Sequence, residues 1–317
     1  MWPFGSNSGV NFTAKDIPSL KGKVFIVTGG NSGLGKQSVL DLAQHEPQEI
    51  WLTARTVEKA EEAIKDIKTK VPNANIKPLA MDLSSFESIK AAARTFTAAS
   101  NRLDVLLLNA GCMAAPAALS KDGYELQFGT NHVGHALLTK LLTPTLYKTA
   151  ATATAATADV RVVVLSSAAV AFTPKGGILF DTLKTTQESV STWDRYGQSK
   201  LANALYARQL AQHHPQWTVT AVHPGVVQTN LQHYAVERHW LLAPIINIAT
   251  KFITTVEDGA KNQLWAATAP KKDIENGALY YPVGDLTGGR RGIYTTDDAL
   301  AKRLWEWTEQ ELKDQTI

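Results

Sequence analysis

The feature that most constrains the fold is a glycine-rich turn between an apolar run and a helical pattern. The apolar run covers residues 24–27, the turn covers residues 28–35, and the helical pattern begins at Lys36. A strand, a tight glycine turn and a helix bring backbone N–H groups at the helix N-terminus to a nucleotide phosphate. Glycine is needed because a Cβ would hold the phosphate off the backbone and because the turn requires positive φ. By itself, the turn also fits an ordinary connection between a strand and a helix.

Composition limits the class of protein. The 317 residues are 44% hydrophobic and 19% charged, which suits one large domain with a substantial core. The net charge of +3 is too small to indicate nucleic-acid binding, and the sequence has no basic block, zinc-ligand spacing or aromatic RNA motif. The single cysteine, Cys112, excludes an intrachain disulfide and fits a reducing compartment. With neither a secretory signal pattern nor an apolar run of ~18 residues, we expect a cytoplasmic protein.

Short apolar strands alternate with helical patterns along the chain. Strands are predicted over residues 23–28, 50–53, 76–81, 103–108, 160–165, 218–222 and 279–281, the third weakened by Pro78. Helices are predicted over residues 33–45, 126–147, 196–213, 256–268 and 300–307, and a cap at Thr56 and a capping box from Ser84 to Glu87 open two more. This alternation predicts an α/β fold: a Rossmann-type doubly wound parallel sheet with helices on both faces.

The chain is predicted to form a single domain with an N-terminal arm, a substrate lid and a C-terminal extension. Residues 1–22 are interpreted as a polar N-terminal arm, residues 23–290 as the Rossmann-fold catalytic domain and residues 291–317 as a C-terminal helical extension. Within the domain, an apolar segment over about residues 230–255 is interpreted as a substrate lid. The Ala/Thr-rich tract over residues 148–158 is interpreted as a surface loop without chemistry.

The residues after the second predicted strand indicate which dinucleotide is bound. In dinucleotide-binding folds, an Asp or Glu at this strand end accepts hydrogen bonds from the adenosine ribose hydroxyls. Here Ala54 takes that position and Arg55 follows, so no carboxylate repels a 2′-phosphate and a guanidinium is present to bind it. This pattern favours NADP, although a solvent-facing arginine would look the same. Asp82 closes the third strand, either to reach the adenine amino group or simply to precede a helix.

A tyrosine and a lysine lie four residues apart on one predicted helical face. Tyr196 and Lys200 suit acid–base chemistry, because a nearby ammonium and a positive nicotinamide ring stabilise a phenolate and lower its pKa. Ser166 and Ser167 end the preceding strand, where a hydroxyl can donate to a substrate carbonyl oxygen. Cys112 has no obvious base beside it and is interpreted as a small buried residue. No metal site is predicted.

In this order, the motifs resemble those of the short-chain dehydrogenase/reductase family over about residues 22–285. The motifs are the Thr-Gly-x-x-x-Gly-x-Gly turn over residues 28–35, Asn109-Ala110-Gly111, a serine after the fifth strand, Tyr196-x-x-x-Lys200 and Pro224-Gly225. The resemblance implies NADP(H) binding by Gly29, Asn31, Ser32, Gly33, Leu34, Gly35, Arg55, Asp82, Leu83, Asn109, Ala110, Gly111, Tyr196, Lys200, Pro224, Val227 and Thr229.

The resemblance also implies catalytic roles. Tyr196 corresponds to the general acid/base, and Lys200 lowers its pKa and binds the nicotinamide ribose. Ser167 orients the carbonyl, in preference to the deeper Ser166, and Asn131 holds a proton-relay water. His135, like its neighbour at position 132, is interpreted as a structural residue that packs near the site.

Within the family, the chain resembles retinol-dehydrogenase-like and WW-domain-oxidoreductase-like members. Residues 53–55, residues 131–139 and the long gap between Ser167 and Tyr196 carry this resemblance. It implies an NADP(H)-dependent oxidoreductase that transfers hydride between the nicotinamide and a ketone or aldehyde, or the matching alcohol. The apolar segment 230–255 predicts a lipophilic substrate, such as a polyketide, terpenoid, steroid or retinoid-like carbonyl, and a secondary-metabolite tailoring step is one candidate role.

Several alternatives stay open at this point. Segment 230–255 would also suit helix packing, a partner chain or shallow contact with the cytosolic face of a membrane. The alanine-rich face that follows Tyr196 would suit a homodimer or packing on the sheet. A tailoring reaction without net redox change would use the same residues, and a non-catalytic NADP-binding interaction protein is the third reading.

Overall fold

One parallel sheet lies at the centre of the molecule. The computed structural model describes residues 9–152, 159–227, 254–289 and 292–317. Within these ranges, seven strands form the sheet in the order β3-β2-β1-β4-β5-β6-β7, and neighbouring strands are parallel. The strands are β1 Val24–Val27, β2 Glu49–Ala54, β3 Ile76–Ala80, β4 Val105–Leu108, β5 Val160–Leu165, β6 Trp217–Val222 and β7 Leu279–Tyr280. The predicted Rossmann-type fold is confirmed.

Helices cover both faces of this sheet. They are α1 Gly33–Ala43, α2 Val57–Lys70, α3 Phe86–Ala99, α4 Leu126–Phe128, α5 Gly134–Thr152, α6 Thr192–His213, α7 Val256–Thr268, α8 Leu286–Gly289 and α9 Asp298–Leu312. Helices α1, α2 and α7 share a buried core with one face, and α3, α5, α6 and α9 share a core with the other. The central strands read as continuous apolar runs because both of their faces are covered. Among the described helices, none has the length and apolar character to cross a membrane.

The strand order reverses direction between β1 and β4. Strand β1 pairs with β2 on one side and with β4 on the other. In an open α/β sheet, such a switch point opens a crevice beyond the carboxyl ends of the strands, where ligands bind. The glycine turn follows β1 and Asn109 follows β4, so both border this crevice.

The structure decides three predicted details: two helix caps and a proline in a strand. Thr56 caps α2 as predicted, with its hydroxyl oxygen accepting from the Lys59 N–H at 3.4 Å. The capping box predicted from Ser84 is wrong, because the hydroxyl and N–H of Ser84 both bond to the Asp82 carboxylate. Ser85 caps α3 instead. Pro78 is tolerated because β3 is an edge strand.

The predicted helix over residues 126–147 differs from the structure in two ways. A π-helical turn, Gly129–Val133, interrupts it, and the helix continues as α5 to Thr152. The loop predicted over residues 148–158 is therefore wrong for its first five residues, where alanine favours a helix. Residues 153–158 lie outside the described residues.

The N-terminal arm is less polar in its contacts than its sequence indicated. Of its described residues, Phe12, Ile17 and Leu20 are buried in the core that contains α1 and α7. Packing of these three side chains ties residues 12–20 to the sheet. The division into arm, catalytic domain and extension stays a prediction.

Candidate active site

The glycine turn forms a cradle at the N-terminus of α1. Gly29 and Gly33 have φ values of 64° and 50°, a conformation that glycine adopts without strain. A Cβ on Gly35 would overlap the Gly29 carbonyl oxygen and lie 2.6 Å from Asn109 Nδ2. The turn keeps this shape only with glycine, and it leaves backbone open at a helix end that attracts anions.

A cavity of about 420 Å³ lies beside this cradle. The predicted cofactor residues that line it are Gly29, Asn31, Ser32, Gly33, Leu34, Arg55, Asp82, Leu83, Asn109, Ala110 and Gly111. These residues fit a nicotinamide dinucleotide, because the cavity borders both the glycine cradle and the residues that follow β2, β3 and β4 at the switch-point crevice. Thr229 and residues 230–253 of the predicted lid lie outside the described residues.

One end of the cavity is positively charged. Arg55 and Lys59 both line it, and both side chains are exposed. Asp82 is the one carboxylate among the described residues of the lining. Burial opposes its ionisation, but hydrogen bonds from Ser84 and Lys121 outweigh burial and lower its pKa. Lys59 was not predicted from the sequence as a cofactor-binding residue. The available signal was its positive charge, four residues after Arg55.

Tyr196 and Lys200 lie together on α6 at the end of β5. Tyr196 is 7% exposed, and Lys200 Nζ lies 5.8 Å from the centroid of its ring. The ammonium donates to the Leu165 carbonyl oxygen at 3.0 Å. Burial raises the pKa of Tyr196 to about 12, against the lowering effect of a hydrogen bond with Ser167, and burial lowers the pKa of Lys200 to about 8. Among the chain's own groups burial dominates, and the lowered phenol pKa expected from Lys200 together with a positive nicotinamide ring stays a prediction.

The two serines after β5 have different partners. Ser166 is 2% exposed, and its hydroxyl donates to the Lys200 carbonyl oxygen at 2.7 Å. Ser167 is partly exposed, and its Oγ accepts from the Ala169 N–H at 3.1 Å. The Ser167 side chain also forms a hydrogen bond with Tyr196, so this serine faces the phenol and Ser166 does not. This difference favours Ser167, whose role stays a prediction.

Asn131 lies in the π-helical turn between α4 and α5. Its Oδ1 accepts from the Cys112 N–H at 2.8 Å, and its Nδ2 donates to the Cys112 carbonyl oxygen at 3.0 Å and to Ser199 Oγ at 2.9 Å. The Asn131 side chain therefore joins the segment after β4 to α6, which carries Tyr196. Single π-helical turns inside helices are frequent at functional sites.

The segment after β4 passes close to these groups. A Cβ on Gly111 would lie 2.8 Å from Asn131 Oδ1 and 3.4 Å from Lys200 Nζ. Glycine at this position therefore permits both polar groups to approach the backbone. Burial raises the pKa of the Cys112 thiol to about 12, so the neutral thiol prevails and the side chain is a weak nucleophile.

The Pro224-Gly225 turn leads from β6 toward the glycine turn. Gly225 has a φ of 90°. A Cβ on Gly259 of α7 would overlap the Val227 side chain and lie 2.9 Å from Leu34 Cδ2, so Val227 lies close to the start of α1. Neither Pro224 nor Val227 is among the described residues that line the cavity.

Two adjacent amides of α7, missed in the sequence, hold this edge of the sheet together. Asn262 Nδ2 donates to the His223 carbonyl oxygen at 2.7 Å, just before the Pro-Gly turn. Gln263 Nε2 donates to Ser38 Oγ at 2.6 Å and to Asn109 Oδ1 at 3.3 Å. Two adjacent amides just before the apolar residues 264–267 were the available signal of this role.

A buried ion pair next to Tyr196 was also missed. Arg195 Nη1 lies 3.0 Å from Glu125 Oε1, and the two side chains are 5% and 0% exposed. Arg195 also donates to the Ala115 carbonyl oxygen at 3.2 Å, and Glu125 accepts from the Phe128 N–H at 2.7 Å. The pair therefore connects α6 to the loop after β4 and to the helix that leads to the π-helical turn.

Known sequences and structures resemble this chain along most of its length. The short chain dehydrogenase family profile matches residues 23–240. The chain is 37% identical over 314 residues to short-chain dehydrogenase/reductase drtF of Aspergillus calidoustus, covering 95% of this chain and 97% of that protein. It is 33% identical over 302 residues to retinol dehydrogenase 11 of Homo sapiens, covering 95% and 88%. A solved structure of an uncharacterised Mycobacterium paratuberculosis protein matches with a TM-score of 0.72 and 29% identity, covering 96% and 98%.

Proposed function

Because the chain belongs to the short-chain dehydrogenase/reductase family, a family of nicotinamide-dependent oxidoreductases, we propose that it is an NADP(H)-dependent oxidoreductase of lipophilic carbonyl compounds. The reaction interconverts a ketone or aldehyde and the matching alcohol. The observation that carries the proposal is the arrangement of Tyr196, Lys200, Ser167 and Asn131 at the strand ends next to the glycine cradle. A secondary-metabolite tailoring step is one candidate role for such an enzyme.

The choice of NADP is supported by the charge at the end of β2. Ala54 leaves no carboxylate at the ribose position, and Arg55 and Lys59 both line the cavity there. A guanidinium and an ammonium attract the 2′-phosphate, which NAD lacks. Asp82, with its lowered pKa, is an ionised acceptor for the adenine amino group.

Each polar group has a distinct task in the proposed mechanism. A bound nicotinamide supplies the hydride for reduction or accepts it in oxidation. Tyr196, whose raised pKa keeps the phenol protonated, donates its proton to the carbonyl oxygen. Ser167 donates a second hydrogen bond to the same oxygen and stabilises its developing charge. Lys200 binds the ribose hydroxyls, and Asn131 holds the water that resupplies the proton.

The lipophilic substrate is supported by exposed apolar side chains near these groups. Phe172 is 58% exposed and follows the Ser167 segment, and Val226 is 53% exposed and follows the Pro-Gly turn. Trp193 is 44% exposed, and its ring lies 6.4 Å from that of Tyr196 in an edge arrangement. In this proposal these side chains contribute to the apolar wall of the substrate pocket. Segment 230–255 completes the pocket as a lid in this proposal, and contact with a membrane surface is its alternative use.

The test follows nicotinamide absorbance across a panel of lipophilic ketones and aldehydes, with NADPH and with NADH. Wild-type protein is expected to oxidise NADPH. Tyr196→Phe is expected to lower kcat by at least about 10²-fold, because the proton donor is lost. Tyr147→Phe is the matched control: the Tyr147 hydroxyl bonds to His214 beside Trp217, at the N-terminal ends of β5 and β6 and so at the opposite end of the sheet from Tyr196, and this variant is expected to keep its turnover.

A second variant tests the cofactor preference. Arg55→Ala is expected to raise KM for NADPH by about 10-fold to 100-fold, the worth of one charged hydrogen bond, and to leave KM for NADH unchanged. Wild-type turnover by Tyr196→Phe would contradict the mechanism. NADPH binding without oxidation would favour a non-catalytic binding protein, and product without net oxidation would favour a tailoring reaction.

A further inference from the structure

His135 is a buried histidine that joins the glycine turn to the π-helical turn. Its side chain is 1% exposed and does not line the cavity. Its Nδ1 lies 2.9 Å from the backbone oxygen of Asn131, and its Nε2 lies 2.9 Å from Thr28 Oγ1. Thr28 opens the glycine turn, so one imidazole ring bridges the cofactor cradle and the proposed proton-relay residue.

The protons in this contact can be assigned from the acceptors. A backbone oxygen only accepts, so His135 Nδ1 carries the hydrogen and donates to Asn131. Nε2 of the neutral ring is then an acceptor, and the Thr28 hydroxyl donates a hydrogen bond to it. Burial and the nearby Lys200 charge lower the pKa of His135 to about 4, which keeps the ring neutral. The ring therefore holds a single tautomer.

Thr28 extends the contact to the segment after β4. The Ala110 N–H donates to Thr28 Oγ1 at 2.9 Å, and Asn109 Nδ2 donates to the Thr28 carbonyl oxygen at 2.8 Å. The Asn131 side chain bonds to the backbone of Cys112, two residues beyond Ala110. The contacts thus form a closed circuit: from Thr28 to the end of β4, from there to Asn131, and through the His135 side chain back to Thr28.

We propose that His135 is a positioning residue that fixes the Asn131 backbone oxygen relative to the glycine turn. Cofactor binding at the cradle and proton supply at Asn131 are then coupled through the imidazole of His135. The inference rests on the proposed function, since it concerns the relay of that reaction. His135 does not line the cavity, so we expect it to act on the site through its hydrogen bonds to Thr28 and Asn131.

The first test compares two buried histidines on adjacent turns of the same helical segment. His132 is equally buried, but its Nε2 lies 3.0 Å from Thr308 Oγ1 on α9, away from the cradle. His135→Phe is expected to lower kcat by at least about tenfold and to raise Kd for NADPH, because small displacements of catalytic groups are costly. His132→Phe is expected to lose stability but to keep kcat and Kd. Equal kinetic effects in the two variants would overturn the proposal.

The second test separates the roles of the two imidazole nitrogen atoms, the Nδ1 donor and the Nε2 acceptor. His135→Asn keeps an N–H donor near the Asn131 oxygen and loses the acceptor for Thr28, so it is expected to raise Kd for NADPH more than it lowers kcat. His135→Gln keeps an acceptor near Thr28 and loses the donor, so the opposite split is expected. A purely structural role would reduce stability in both variants without this split, and that result would overturn the proposal.

The third test needs no turnover. In long-range ¹H–¹⁵N spectra of histidine-labelled protein, His135 is expected to carry its proton on Nδ1 and to stay neutral between about pH 5 and 8. Its signals are expected to shift when NADPH binds, although the ring lies outside the cavity wall. Protonation on Nε2, or no response to NADPH, would overturn the inference. If only the proposed function fails, the Nδ1 proton and the shift on NADPH binding will both be seen, but no carbonyl compound will be reduced.

Discussion

Adjacent serines at the end of β5 differ in what their hydroxyl groups are able to do. The Ser166 hydroxyl is committed to the Lys200 carbonyl oxygen, which fixes the backbone beneath the lysine. Ser167 Oγ accepts from a backbone N–H, and its side chain forms a further hydrogen bond with Tyr196. At the residue scale, the hydrogen-bond partners therefore separate a structural serine from the serine that faces the proposed proton donor.

This difference predicts opposite effects of alanine at the two positions. Ser167→Ala is expected to lower kcat about 10²-fold to 10³-fold with little change in stability, because a donor to the developing charge is lost. Ser166→Ala is expected to lower the free energy of unfolding by about 1 kcal/mol, the net worth of one hydrogen bond, and to keep most of kcat. Steady-state kinetics and urea unfolding measure the two effects. Equal losses of kcat would show that the roles are not divided in this way.

Lys200 carries a pH-dependent cost in stability. Its folded pKa of about 8 lies below the ordinary value of 10.5. Between these values the unfolded chain binds more protons, so the wild-type protein gains stability relative to a variant without the amine as pH rises. Lys200→Met is therefore expected to be the more stable protein below about pH 8, with the difference vanishing toward 10.5. Urea unfolding across this pH range measures the difference, and a gap that does not change with pH would contradict a desolvated ammonium.

At the scale of elements, the sequence predicted the type of element better than its continuity. Residues 126–147 read as one helix because their apolar spacing is helical throughout. The π-helical turn Gly129–Val133 is set by contacts of Asn131 with Cys112, 19 residues away in the chain, which no local pattern encodes. A Cβ on Gly134 would overlap the Leu83 carbonyl oxygen, so a glycine that looked unfavourable in a helix permits close packing of α5.

A buried arginine of β5 donates hydrogen bonds to the end of α7, and its contribution to stability can be tested. Arg161 is 3% exposed, and its guanidinium donates to the carbonyl oxygens of Ala266 and Ala269 at the C-terminal end of α7, and to Asp159. Arg161→Met is expected to lower the free energy of unfolding by about 2–4 kcal/mol, because the buried acceptors lose their donor. Urea unfolding gives the value.

The control for that variant is an arginine in an exposed pair. Arg208 bonds to Asp298 at 2.6 Å, with side chains 32% and 69% exposed. Arg208→Met is expected to leave the urea midpoint unchanged, because exposed pairs are screened by solvent. A loss at Arg208 as large as that at Arg161 would contradict the explanation from burial.

At the scale of the whole molecule, α9 covers the outer side of α6. Trp305 stacks on Tyr206 with centroids 5.6 Å apart and on His213 with centroids 4.2 Å apart. Leu304 is fully buried in the same contact. The alanines after Tyr196, which the sequence left open for a homodimer, are also buried within the chain: Ala202, Ala204, Ala207 and Ala211.

This covering predicts a large loss of stability when the contact between α9 and α6 is removed. Trp305→Ala is expected to lower the free energy of unfolding by about 2–3 kcal/mol, because an aromatic contact is lost. Urea unfolding measures the loss, and a free energy of unfolding equal to that of the wild-type protein would contradict the prediction.

The whole-molecule view also explains which parts of the site the sequence could predict. The cradle and the Tyr196–Lys200 pair were readable because each is a local motif whose spacing is fixed by one turn or one helix. The pairs Gln263 with Asn109 and Arg195 with Glu125 were not, because 154 and 70 residues separate the partners. Such contacts follow from the packing of distant elements, and only the fold brings them together.

The central place of β1 in the sheet sets an order of assembly during synthesis. Strand β1 precedes the other described strands in the chain, yet one of its edges stays open until β4 is made about 80 residues later. The crevice beside the glycine turn does not exist before that moment, because β4 supplies its other wall. A dinucleotide can therefore bind only chains in which β1 and β4 have paired, and by mass action it stabilises that pairing.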